Sequence, residues 1–176
     1  MAIQSRTRTL SAIAGTHRQK VAPSQLIENR TVYASTLAEL SVYDTYEQAE
    51  RVRLDAGDLL YCGMMTGRKV MHGMDGFSTE FLPHESFVVA PGEYVEIDFP
   101  EASMETPTTC MTLEIPRETL LKVCDQLNTV SERPKDLGEW EVETRQWHLS
   151  HTDATQQLLE RIVASHVQKE DDCDLV

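Results

Sequence analysis

Six histidines, His17, His72, His84, His148, His151 and His166, are the side chains in this 176-residue chain best equipped to hold a metal. A metal site built on β-strands needs two imidazoles one residue apart, so that both leave the same face, with a carboxylate and a third histidine nearby. No His-x-His occurs, and His72 and His84 stand 12 residues apart on different elements. The two are expected as hydrogen-bonded side chains at a cavity mouth, with no metal and no other cofactor. Nucleophilic chemistry has no firmer footing. His84, Glu85 and Ser86 are consecutive, but adjacent strand residues point to opposite faces, so the run is not a triad by itself. There is no Gly-x-Ser-x-Gly and no phosphate-cradling glycine loop. No catalytic residue is expected. Cys62, Cys110, Cys124 and Cys173 are too widely spaced for a zinc pairing and are expected as small hydrophobes or inert thiols.

Binding chemistry is better represented. Arg68 and Lys69 in MTGRKVMH could hold an anionic group, although a charged surface turn is the expectation. Met64, Met65, Met71, Met74, Met104 and Met111 are many thioethers for one domain. Flexible thioethers suit adaptable apolar pockets, and they also serve as core filler. Tyr61 and Met65 share one strand parity, Cys62 and Met64 the other. The small Gly63 between Tyr61 and Met65 leaves room beside it, so that face is expected to line a cavity. With His72, His84, Val95 and Met111, Tyr61 and Met65 make up the candidate ligand set.

The elements that must position these residues come from periodicity. Residues 1 to 29 form a lead-in or arm. From 30 to 115 short alternating runs alternate with turn residues: RTVYAS, LAELSVYDTY, AERVRL, DAGDLLYCGMM, SFVVA, EYVEIDF and TTCMTLEI. GRKVMHGMDGF reads as a hairpin. LPHESFVVAPGEYVEIDF has the outline of a cupin half-site: strand, Pro-Gly turn, strand. A metal-dependent cupin would place a histidine just after that turn, where this chain has Tyr94 and Val95. The expected fold is mostly β with C-terminal α: a cupin-like barrel (double-stranded β-helix or jelly roll) followed by two or more amphipathic helices. The helical segment runs from 116 to 176. Its first helix opens at Pro116 and carries Leu120, Leu121 and Cys124. SERPKDLG is a loop, and the stretch through Trp140 and Trp147 an extended strap. Ser150 or Thr152 can cap the second helix, whose stripe includes Leu158, Leu159 and Ile162. Either stripe can pack on the barrel or form a dimer surface.

Charge narrows the partners. The chain has 29 acidic and 16 basic residues, a net charge of −13. Residues 1 to 27 hold Arg6, Arg8, Arg18 and Lys20 and no acid, leaving 12 bases against 29 acids in the remainder, or −17. Such a body repels phosphate and is a poor nucleic-acid reader. No apolar run reaches the roughly 18 residues of a membrane span. Dispersed thiols and no export signal point to a reducing cytoplasm.

The order of elements, carried by LLYCGMMTGRKVMH, LPHESFVVAPGEYVEIDFPEA, PTTCMTLEIPRETLLKVCDQL and DATQQLLERIV, resembles the N-terminal half of AraC-type transcriptional regulators over residues 37 to 167. The resemblance implies a barrel that senses a small-molecule or protein effector and helices that form a homodimer. It implies DNA contact only through a C-terminal helix-turn-helix domain, absent here, the chain stopping after EDDCDLV like a cut. The N-terminal arm could close over a ligand. The other readings open are a cupin enzyme with unusual ligands and a stand-alone metabolite-binding module.

Overall fold

The computed structural model describes residues 28–74, 76–131, 133–142, 145 and 147–173. The proposed arm, with its four basic residues, lies outside them up to residue 27.

Among the described residues nine strands precede a helix: β1 (Glu28–Ala34), β2 (Glu39–Thr45), β3 (Ala49–Asp55), β4 (Leu59–Thr66), β5 (Lys69–His72), β6 (Ser78–Phe81), β7 (Glu85–Val89), β8 (Tyr94–Phe99) and β9 (Thr108–Ile115). Helix α1 (Arg117–Val130), a 3-10 turn (Lys135–Leu137), β10 (Trp147–Ser150) and helix α2 (Asp153–Cys173) follow. All pairings are antiparallel. They build a six-stranded sheet, β1-β2-β9-β4-β7-β10, and a four-stranded sheet, β3-β8-β5-β6. Two facing antiparallel sheets are the cupin-like double-stranded β-helix expected from the sequence. Among the described residues the two sheets share no ladder, so the barrel is not closed by strand pairing.

Alternation decides what each layer buries. In β8, Val95, Ile97 and Phe99 are buried while Tyr94, Glu96 and Asp98 are half-exposed. The buried three meet Leu60, Cys62 and Met64 of β4, Phe87 and Val89 of β7, and Cys110 of β9 in one core between the sheets. The opposite parity of the six-stranded sheet builds a second core. There Leu40, Val42, Met65, Met111 and Leu113 are covered by Leu159 and Val163 of α2, with Tyr61 and Ile162 at the margin. Each fully buried side chain of this size contributes roughly 1.5–3 kcal/mol. The molecule thus has three layers, with β9 and β4 in the middle one.

The helices differ in what they touch. Thr152 caps α2, its Oγ1 accepting the Thr155 amide at 3.2 Å. The stripe at three-and-four spacing then faces the sheet. Leu159 is 5% exposed and Ile162 half-buried, packed with residues of β2 and β9, while Leu158 of the same expected stripe remains exposed. Helix α1 buries none of its residues. Pro116 precedes its first turn as the N-cap rather than lying inside it. Trp140 pins the end of α1, donating its backbone N–H to Asn128 Oδ1 at 2.6 Å and its indole N–H to Ser131 O at 2.8 Å. The strap beyond it becomes β10, which adds to β7 at the sheet edge.

Candidate ligand-binding site

Lys69 opens β5, two residues before the buried Met71, and shares its parity. It therefore points between the sheets and is only 4% exposed. The expectation of a charged surface turn is correct for Arg68, which pairs with Glu80 and, at 3.0 Å, with Glu101. It is overturned for Lys69. Gly67, at φ +83°, turns the chain from β4 into β5 tightly against Thr108, leaving no room for a Cβ.

The Lys69 head group has unusual neighbours. Its Nζ donates to Cys110 Sγ at 2.7 Å and lies 4.9 Å from the centroid of the Phe99 ring. Among the described residues no carboxylate lies within ion-pair reach of it. A buried charge costs on the order of several kcal/mol to desolvate, and a thiol and a ring face repay only part. Lys69 abuts a cavity of about 60 Å³ between the sheets. Val52, Leu54 and Ile97 form its apolar walls, Tyr43 and Thr112 its polar ones, and Arg53 its rim. Burial raises the Tyr43 phenol above its ordinary range, partly offset by the Arg30 guanidinium and by hydrogen bonds to Thr112 and Ser41. Arg53 is already paired with Asp55 at 2.6 Å and lies over the Tyr94 ring. Burial pushes the Cys62 thiol up to about 12, so it stays protonated and unreactive. Larger hollows of about 330 and 400 Å³, beside Arg133 and Arg161, are surface clefts without a buried charged group.

The expected ligand residues do not assemble around this cavity. Val95 faces the inter-sheet core. Tyr61, Met65 and Met111 lie on the other side of the sheet, toward α2. The expected parity of β4 is thus inverted: Cys62 and Met64 face the sandwich interior, and the room beside Gly63 is occupied by Met111, 3.2 Å from where a Cβ would stand. His72 is on the outer face of the four-stranded sheet, its imidazole bonded to Asp98 Oδ2 at 2.8 Å and Ser78 Oγ at 2.7 Å. Burial raises the Asp98 carboxyl, but hydrogen bonds from the Arg51 amide and His72 outweigh it and hold the group below its usual range. His84 takes a left-handed conformation, φ 70°, in the turn into β7. Gln156 of α2 bonds its Nδ1, and its carbonyl accepts the His151 amide at 2.8 Å.

A second polar group links the layers. Ser86 Oγ is bonded to both the Tyr61 hydroxyl and His151 Nε2. Ser86 therefore meets a histidine distant in sequence, not the adjacent His84. Ser86 is 1% exposed, and the group ties the start of α2 to β4 and β7. Burial lowers the His151 imidazole below its usual range. Among the described residues no three metal-ligating side chains gather, and no helix is long and apolar enough to cross a membrane.

Comparison with known proteins agrees with this architecture. The chain has the fold of ToxT from Vibrio cholerae, with a TM-score of 0.55 at 9% identity over 73% of this chain and 48% of that one. A second ToxT structure, from strain O395 and bound to (E)-4-(8-methylnaphthalen-1-yl)but-3-enoic acid, gives 0.55 at 7% identity over 74% and 48%. The chain thus spans about half the length of ToxT. A cupin superfamily protein from Desulfitobacterium hafniense DCB-2 aligns over 56% of this chain and 85% of its own, with a TM-score of 0.45 at 9% identity. No curated protein matches the sequence. The family model for the AraC-type transcriptional regulator N-terminus matches residues 36–175. Both cores, the cavity and both helices fall within that match, and the chain belongs to the AraC-type transcriptional regulator N-terminus family.

Proposed function

We propose that this chain is the signal-sensing and dimerisation part of a cytoplasmic AraC-type regulator. An effector engages the cavity between the sheets, two copies pair through α1, and DNA is gripped by a helix-turn-helix domain outside these residues. The chain makes and breaks no bonds of its own. The observation that carries this reading is the position of β9. Its Cys110 contacts Lys69 and its Thr112 lines the cavity, while the alternate residues, Met111 and Leu113, seat α2. An occupant that favours one arrangement of β9 therefore biases the seat of the helix behind it. A tenfold shift of population needs only about 1.4 kcal/mol of differential binding. The acidic balance of −13 supports assigning DNA contact elsewhere. The small acid bound to ToxT supports an organic effector for a domain of this fold.

Dimerisation rests on α1. Leu121 and Val123 are 45% and 46% exposed, next to the half-buried Leu120 and Cys124, on a helix with no fully buried residue. Sedimentation of the chain at tens of micromolar is expected to give the dimer mass. Leu121→Glu is expected to weaken association at least tenfold with an unchanged fold. A monomeric wild type, or a variant that associates as before, would remove α1 from the interface.

A further inference from the structure

From the surroundings of Lys69 we infer that the cavity takes a carboxylate ligand, with Lys69 as its anchor and an apolar body extending along Val52, Leu54 and Ile97. The inference rests on the sensing role proposed above and adds the chemical class of the effector.

Lys69 is 96% buried, and among the described residues its head group meets Cys110 Sγ and the Phe99 ring face with no carboxylate beside it. The other cation at the cavity, Arg53, is satisfied by Asp55. The charge facing the cavity is therefore uncompensated, and an anion there would form a charge-assisted hydrogen bond in a site of low polarity, where such bonds are strongest. Neutral hydroxyl and amide ligands would leave that charge uncompensated. The walls set the rest of the ligand. Three aliphatic side chains favour a hydrocarbon body over a sugar or a phosphate ester. Tyr43 and Thr112 supply hydroxyls on the side facing the six-stranded sheet, where a second carboxylate oxygen can be bonded. A volume of about 60 Å³ holds a carboxylate and a few carbons, so a longer body leaves past Arg53 at the rim.

The experiment compares propionate, octanoate and octanamide as ligands of the chain. Isothermal titration gives affinity, and methyl NMR of Val52, Leu54 and Ile97 gives location. Octanoate is expected to bind at least tenfold tighter than octanamide and to shift those three methyl sets. Propionate shifting the same methyls with equal affinity would identify a small free acid, and octanoate binding tighter a longer-chain one; either supports the carboxylate assignment. Lys69→Met, which keeps length and removes charge, is expected to bind octanoate and octanamide equally. Equal binding of acid and amide by wild type, or acid binding that shifts methyls elsewhere, overturns the proposal without using a variant. Such a result leaves the sensing role intact, because a neutral ligand in the same cavity would still bias β9. Failure of all three probes to bind at millimolar concentration also overturns it, and a neutral ligand that shifts the same three methyl sets would then still support the sensing role.

Discussion

Gly67 controls the site at the scale of one residue. Its φ of +83° is in the left-handed region, and a Cβ there would stand 2.6 Å from Thr108 Oγ1 and 2.9 Å from Thr108 Cα. A backbone atom cannot rotate aside, so Gly67→Ala combines left-handed strain with a clash and is expected to cost about 2 kcal/mol or more. For a chain of this length that lowers Tm by roughly 4–8 °C. Gly76 has the same backbone sign, φ +85°, but nothing within 4 Å of its missing Cβ. Gly76→Ala should cost only the conformational part, about 1 kcal/mol. Thermal unfolding of the two variants checks the difference, and equal losses would mean that the turn before Lys69 gives way. The same turn explains why Lys69 was not legible as a site residue in the sequence. Read as part of GRKVMH it belongs with Arg68 to a polar turn. Only when β5 is known to begin at Lys69 does its shared parity with Met71 place it inside. The missing histidine after Pro91-Gly92 was legible, because Val95 alternates cleanly with Ile97 and Phe99.

At the scale of the element, two helices with similar stripes behave differently, and the stripes alone could not say which. Helix α2 is seated because it begins directly after β10, whose pairing with β7 delivers it to the open face of the six-stranded sheet. Helix α1 leaves β9 at Pro116 and meets no such face. Most strands and the turn between β5 and β6 were readable from alternation and turn residues, whereas the order of strands within each sheet was not. The parity of β4 was not, since LLYCGMMT is apolar on both faces, as a strand lying between two cores must be. Adjacent residues on α2 give a direct test. Leu159 is 5% exposed and Leu158 is 54% exposed. Leu159→Ala is expected to destabilise by about 2–4 kcal/mol, from lost burial and the cavity left beside Met111 and Val163. Leu158→Ala should stay within about 0.5 kcal/mol. Urea denaturation with both variants checks it. A large loss at Leu158 would mean that the exposed side of α2 is covered in solution.

At the scale of the whole molecule, the three layers are held by different chemistry, and pH separates them. The sandwich interior is closed by apolar burial around Lys69. The helix layer is also tied by Ser86, Tyr61 and His151, and burial holds the His151 imidazole below its ordinary range. His84 opposes protonation of His151, while Gln156 and Glu85 favour it, and the net shift is downward. The unfolded chain therefore takes up a proton at this site before the folded one does. Stability is at its full value above the unfolded imidazole value, about 6.5. It declines as pH falls below that value toward the lower folded one. Asp98, lowered by Arg51 and His72, behaves similarly in a separate, more acidic window, losing its contribution only as its carboxylate protonates below about 4. Unfolding free energy is thus expected to fall in two steps. Replacing His151 by Asn should remove the first step, and replacing Asp98 by Asn the second. Urea titrations between pH 7.5 and roughly 3.5 read both. Amide exchange in β10 and the first turn of α2 should rise within the upper window, before exchange in β8 or β9. Simultaneous loss of protection in all three layers would mean that the helix layer is not a separable unit. Occupancy of the cavity could then not reposition α2 without disturbing the sandwich itself.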